Sequence, residues 1–153
     1  MIGWEIILGG FVSGVIGGAG AVEFRYRRDK QRELQTWYNR TERLAQRVIR
    51  ANYDNWTGSK PFFARATCAG VHSELASHVA DAPPEVNERP LRLAEQLVSE
   101  CQLVKMMDRR ELKLDGGEYP EIRARVEEAA DIAELVEDAA RSEREAIRFL
   151  TRG

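Results

Sequence analysis

From Ile6 to Val22 the chain runs seventeen residues without a charge, bounded by Glu5 and Glu23. A helix rises about 1.5 Å per residue, so this stretch spans roughly 25 Å against about 30 Å of bilayer hydrocarbon. Gly3 and Trp4 extend it, and the amphipathic ring of Trp4 suits a membrane interface. The pattern predicts a transmembrane anchor over residues 1–22. No Lys or Arg precedes it, whereas Arg25, Arg27, Arg28, Lys30 and Arg32 follow. Positive flanks stay in the cytoplasm. The expected topology is therefore single-pass in the cell membrane, with the N-terminus outside and the C-terminal domain cytoplasmic. A secretory signal peptide carries its charge before the apolar run, so the order of charge argues against one.

Small residues repeat inside this segment. Gly10, Gly14 and Gly18 recur every four positions, and Gly9, Ser13, Gly17 and Ala21 form a parallel row. On a helix these rows make one side nearly bare backbone, which lets a neighbouring helix approach closely. Ile7, Leu8, Phe11, Val12 and Val15 fall on the other side. The expectation is a helix–helix interface along the glycine rows, with a second copy or another membrane subunit.

The remaining pattern is helical throughout. No Gly or Pro occurs between Gly20 and Gly58. Apolar or semi-apolar positions recur at Leu34, Trp37/Tyr38, Thr41, Leu44/Ala45, Val48/Ile49 and Asn52, the spacing of one helix face. Residues 23–33 lack that stripe and read as a basic juxtamembrane stalk. Thr57-Gly58-Ser59 breaks the helix, and Pro61 suits the first turn of the next. That helix carries Phe62, Phe63, Ala66, Val71, Leu75 and Val79, and it ends near Ala80 before Asp81-Ala82-Pro83-Pro84. A third begins around Asn87–Pro90 with Leu93, Ala94, Leu97, Val98, Cys101 and Val104. Asp115-Gly116-Gly117 marks a turn, and the stretch 111–119 reads as a loop, with a small hairpin the alternative. Pro120 opens a last helix whose seam runs Ile122, Val126, Ala129, Ala133, Val136, Ala140, Glu143, Ile147 and Leu150. The predicted class is all-α: the N-terminal anchor, then a cytoplasmic antiparallel bundle of about four helices over residues 34–153.

Charge sharpens this picture. Residues 23–50 hold nine Arg/Lys against four Asp/Glu, and residues 111–153 hold seven against twelve. The two segments are expected to complement each other, with the first helix beside the fourth. The cations Arg25, Arg27, Arg28, Lys30 and Arg32 are expected to meet anionic lipid headgroups, at about 1 kcal/mol each. Nucleic acid is not expected, since the cluster would lie against the bilayer with only Tyr26 for stacking.

Candidate chemistry is sparse. Cys68 and His72 lie four apart, as do Glu74 and His78, and Cys101 occupies the third helix's stripe. A zinc site from Cys68, His72 and Cys101 lacks a nominated fourth ligand. The plain reading makes the cysteines small core residues and leaves both histidines partly exposed. Gly116-Gly117 lacks the Lys-Ser/Thr continuation of a phosphate loop. Trp37, Tyr38, Tyr53, Trp56, Phe62 and Phe63 are expected in the core, with 53–63 an alternative contact for a cytoplasmic protein partner. No cofactor, metal or enzymatic activity is expected. The chain reads as a membrane-tethered adaptor or assembly subunit. The alternatives are a pore-forming effector, disfavoured by a lining whose polar side chains are only Ser13 and Glu5, and a Cys/His metal enzyme.

Overall fold

A computed structural model of the chain describes residues 4–57, 61–107 and 120–152, with side-chain surroundings from 21–53, 64–107 and 120–152. The described residues form four helices and no strand: α1 (Trp4–Thr57), α2 (Pro61–Ala80), α3 (Glu88–Met106) and α4 (Pro120–Arg152). The helix limits follow the expected breakers, since Pro61 and Pro120 each stand at the first helical position, where a missing N–H costs nothing. The chain divides into two compact units, Met1–Glu33 and Leu34–Gly153.

Among the described residues no helix is long and apolar enough to cross a membrane. The side chains of residues 4–20, which carry the expected anchor and the glycines at 9, 10, 14, 17 and 18 with Ser13, lie outside them. Ala21 and Val22 are described, and both are exposed. The loop or hairpin of 111–119 and the side chains of Trp56, Phe62 and Phe63 also lie outside the described residues.

In the second unit consecutive helices pack antiparallel. Early α1 meets late α2 through Trp37 and His78, and later α1 meets earlier α2 through Arg47 and Glu74. Arg65 of α2 reaches the carbonyl of Lys105 at the end of α3. α3 packs against α4, Leu93 bordering the same groove as Leu135 and Leu103 the same groove as Arg125. Glu42–Arg141 and Gln46–Glu137 return α4 to α1. The result is an up-down-up-down bundle, the arrangement short connections favour.

One core cluster joins all four helices, with Leu44 and Val48 of α1, Cys68, Val71 and Leu75 of α2, Leu97 and Cys101 of α3, and Ile122, Val126 and Val136 of α4. Each buried aliphatic side chain contributes about 1.5–3 kcal/mol relative to exposure. Ala129, Ala133 and Ala140 keep the α4 seam narrow, and all three are buried. A smaller cluster of Trp37, Tyr38, Val86 and Ala140 closes one end. Val86 comes from the α2–α3 connection, which a sequence pattern of helices alone does not nominate. Tyr53 corrects the core expectation, being 69% exposed. It stands five residues after Val48, which turns it about 140° away from the seam at about 100° per residue. Leu150 likewise falls beyond the packed seam and is exposed.

Gly70 lies within α2, exposed, and a Cβ built on it meets nothing nearer than Arg47 Nη2 at 3.8 Å. That is ordinary contact, while glycine inside a helix costs about 0.5–1 kcal/mol relative to alanine. Gly70→Ala is expected to raise unfolding free energy by about that amount, read as a higher urea midpoint at unchanged slope. A lower midpoint would mean the Arg47 side chain cannot accommodate the methyl group.

Candidate functional site

Two polar regions stand out, one in each unit. In the first, residues 21–29 of α1 are exposed along the whole helix surface, and Lys30 is half-buried. Aromatic and cationic residues alternate here at helical spacing. The Arg28 guanidinium lies 5.5 Å from the Phe24 ring centre, and Lys30 Nζ lies 5.9 Å from that of Tyr26. Arg27 pairs with Glu23 at 2.6 Å, and Lys30 with Glu33 at 3.3 Å. Exposed ion pairs of this kind contribute little stability. Arg25 and Arg32 are also exposed on this segment. Four of the five cations expected to meet headgroups are exposed and Lys30 is half-buried; the exposed rings of Phe24 and Tyr26 lie on the same stretch of helix.

The second region is a buried polar seam where α1 meets α2 and α4. Trp37 sits at 5% exposure with its ring stacked on His78, 4.8 Å between centres, and its edge against Tyr38 at 5.4 Å. Its indole Nε1 donates to the His78 carbonyl at 3.1 Å. That carbonyl lies in the last turn of α2, where helix geometry leaves C=O groups without an intrahelical donor. Thr41 Oγ1 donates to the Trp37 carbonyl at 2.9 Å and lies 2.8 Å from His78 Nε2. His78 Nε2 is also 3.1 Å from that carbonyl. A carbonyl only accepts, so this contact requires a hydrogen on Nε2.

His78 is thus buried at 7% exposure, correcting the expectation that both histidines are partly exposed. His72 remains half-buried. Burial holds the His78 pKa below its ordinary value of 6.5, with the nearby Arg40 charge acting the same way; the Trp37 hydrogen bond and Asp81 oppose them. The unfolded chain therefore takes up a proton on this ring before the folded protein does, and stability falls as pH drops. The contribution is whole above pH 6.5 and declines below it until the folded-state ring itself titrates. Urea midpoints measured at pH 7.5 and 5.5 are expected to fall with acidification, and His78→Gln should flatten that fall. An unchanged slope in the variant would assign the effect elsewhere.

Glu42 is a buried acid of the seam, at 7% exposure. Arg141 Nε lies 3.2 Å from its Oε1, and Arg144 Nη2 lies 3.0 Å from its Oε2. Arg141 also pairs with Glu137, whose carboxylate accepts from Gln46 Nε2 at 3.0 Å. These carboxylates hold the Arg141 pKa above its ordinary value, Glu42 through its hydrogen bond most strongly. The first helix does lie beside the fourth, but the signs at this contact reverse the expected ones. The acid comes from the basic helix and the cations come from the acidic one.

Tyr38 completes the seam, its hydroxyl accepting the Asn87 backbone N–H at 3.0 Å. Burial raises the Tyr38 pKa, and the charge of nearby Glu143 adds to the rise while the Asn87 bond opposes it. The seam could have been sought in the sequence, since Thr41 and His78 both fall at core spacing, His78 three residues after Leu75.

The cysteines considered for a zinc site lie in the core. Cys68 and Cys101 are fully buried and free of any disulfide. They hydrogen-bond to each other, and that bond together with burial pushes the Cys101 thiol up. Glu74 pairs with Arg47 at 2.8 Å, which lowers its pKa. Among the described residues no group of three His, Cys, Asp or Glu could hold a metal ion. Comparison of the chain with protein-family models, curated proteins and solved structures gives no match.

Proposed function

We propose that the chain is a non-enzymatic, membrane-tethered adaptor or subunit of a membrane assembly. Residues 1–22 are its anchor, 23–33 its lipid-facing stalk and the helical unit its cytoplasmic part. The observation that carries this reading is the order of chemistry along α1: seventeen uncharged residues, Ile6–Val22, followed at once by an exposed helical stretch of cations and aromatic rings. Eight apolar side chains in the run favour insertion by about 0.3–0.6 kcal/mol each. The six glycines add none, so a lone helix is marginal in lipid and gains from association through the small-residue rows. Arg25, Arg27, Arg28, Lys30 and Arg32 then sit where anionic headgroups attract them.

Flotation with vesicles tests the anchor. Full-length protein is expected to float with phosphatidylcholine vesicles and to resist extraction by alkaline carbonate and high salt. Adding phosphatidylserine should strengthen association, and reversing Arg25, Arg27 and Arg28 to Glu should remove that gain. Gly14→Leu is expected to disperse the complex seen in mild detergent. A monomer freely soluble in buffer without detergent would overturn the proposal.

A further inference from the structure

The bundle is sealed unevenly. Around α1, buried ion pairs and the Trp37 seam close both contacts. Between α3 and α4 the surface is open and apolar. Leu103 is 44% exposed, Met106 71% and Leu135 47%. A cavity of about 570 Å³ lies over Leu103, Met106 and Ala124, and another of about 340 Å³ lies over Leu93 and Leu135. The bordering charges pair within their own helices, Arg92 with Glu88 and Arg125 with Glu128. These pairs are exposed and therefore weak.

The two edges of this groove differ in net charge. The α3 edge presents Glu88, Arg89 and Arg92 near its start, then the uncharged Gln96 and Ser99. The α4 edge presents Asp138, Asp131, Glu128 and Glu121, with Arg125 as its one cation; all these residues are exposed. We infer that this face is the contact between two copies of the bundle, with α3 of each lying over α4 of the other about a two-fold axis parallel to the helices.

Electrostatics selects that axis. A face-to-face dimer has its two-fold axis in the plane of contact. An axis across the helices would set α4 on α4, acid against acid. An axis along them sets the α3 edge of each copy, with Arg89 and Arg92 at its start, on the acidic α4 edge of the other at the same height. Arg89 and Arg92 then meet Asp138 of the second copy, Ser99 meets its Glu128, and Leu103 and Met106 meet its Ala124. The same axis keeps the two Leu34 ends of the dimer together, so both chains enter their bundles from one side. Nineteen residues of α3 give a face about 28 Å long. At about 20 Å for two helix widths, each copy covers on the order of 600 Å², or about 1,200 Å² in total, the size at which specific interfaces begin.

Cross-linking full-length protein in mild detergent tests the contact. Ser99→Cys and Glu128→Cys, carried on separate chains, are mixed and oxidised with copper phenanthroline. Separate chains prevent bonding within one copy, and the two native cysteines are buried. The mixture is expected to yield a disulfide dimer that neither variant yields alone. Reversing Arg89 and Arg92 to Glu should slow cross-linking about threefold to tenfold, the loss expected for two exposed ion pairs. Changing Asp138 to Arg in the same chains should recover part of it. No cross-link, or equal yields from each variant alone, overturns the contact. The outcome is separable from the anchor. A chain that floats with vesicles but does not cross-link leaves the membrane proposal standing, and one that cross-links without floating leaves the dimer standing.

Discussion

Trp37→Ala is expected to destabilise the helical unit by about 3–5 kcal/mol, the range for removing a buried Trp or Phe side chain. The ring fills the space between His78 and Tyr38, and its Nε1 serves a carbonyl at the end of α2 that the helix leaves without a donor. Truncation therefore opens a cavity and strands a buried acceptor at once. Trp37→Phe separates the two effects. It keeps most of the apolar volume but loses the donor, so about 1–3 kcal/mol should go, the cost of an unsatisfied buried group. Water reaching His78 through the alanine cavity should also relieve the burial that depresses its pKa, so the acid sensitivity of the wild-type protein should weaken in Trp37→Ala. Urea unfolding of both variants at pH 7.5 and 5.5 measures all three outcomes. A loss below about 1 kcal/mol in Trp37→Ala would show that this end of the bundle contributes little to global stability.

Removing Arg141 and Arg144 together should have an effect of similar size. Glu42 is buried, and the two guanidinium groups lie 3.2 and 3.0 Å from its oxygens. With both arginines changed to Ala, a carboxylate is left in the seam without a countercharge, a change that costs about 3–5 kcal/mol where burial is tight. Either single substitution should cost less, because the other arginine remains. Adding Glu42→Leu to the double variant is expected to recover most of the loss, since an apolar side chain of similar volume suits the Trp37–Ala140 end of the core. Failure of the leucine to rescue would mean the arginine stems, rather than their charges, hold α4 against α1.

Much of the fold was legible in the sequence, and the reason lies in particular residues. Pro61, Asp81-Ala82-Pro83-Pro84 and Pro120 interrupt the helical spacing, and the structure begins or ends helices there. The α4 seam from Ile122 to Ala140 is buried position by position. Charge was read less well. Segment totals made α1 basic and α4 acidic, but a total ignores the helical phase of each residue. Glu42 stands on the inner face of α1 while Arg40 and Arg43 on either side point outward. Arg141 and Arg144 occupy the side of α4 turned to α1. The polar seam was hidden for a related reason. A histidine and a threonine at core spacing acquire a role only when Trp37, forty-one residues before His78, brings its carbonyl to the imidazole. The α3–α4 face was harder still, because Leu103, Met106 and Leu135 look like ordinary seam-edge residues until their exposure is known.

The Asp81–Asn87 connection has a practical consequence for anyone building on this protein. Val86 plugs one end of the core and the Asn87 amide is held by Tyr38, so this short bridge behaves as a fitted part rather than slack chain. Fluorophores, epitope tags or a permuted terminus grafted there should prise α1 away from this connection. Such additions belong elsewhere, even though the proline-rich stretch looks like the obvious place to cut.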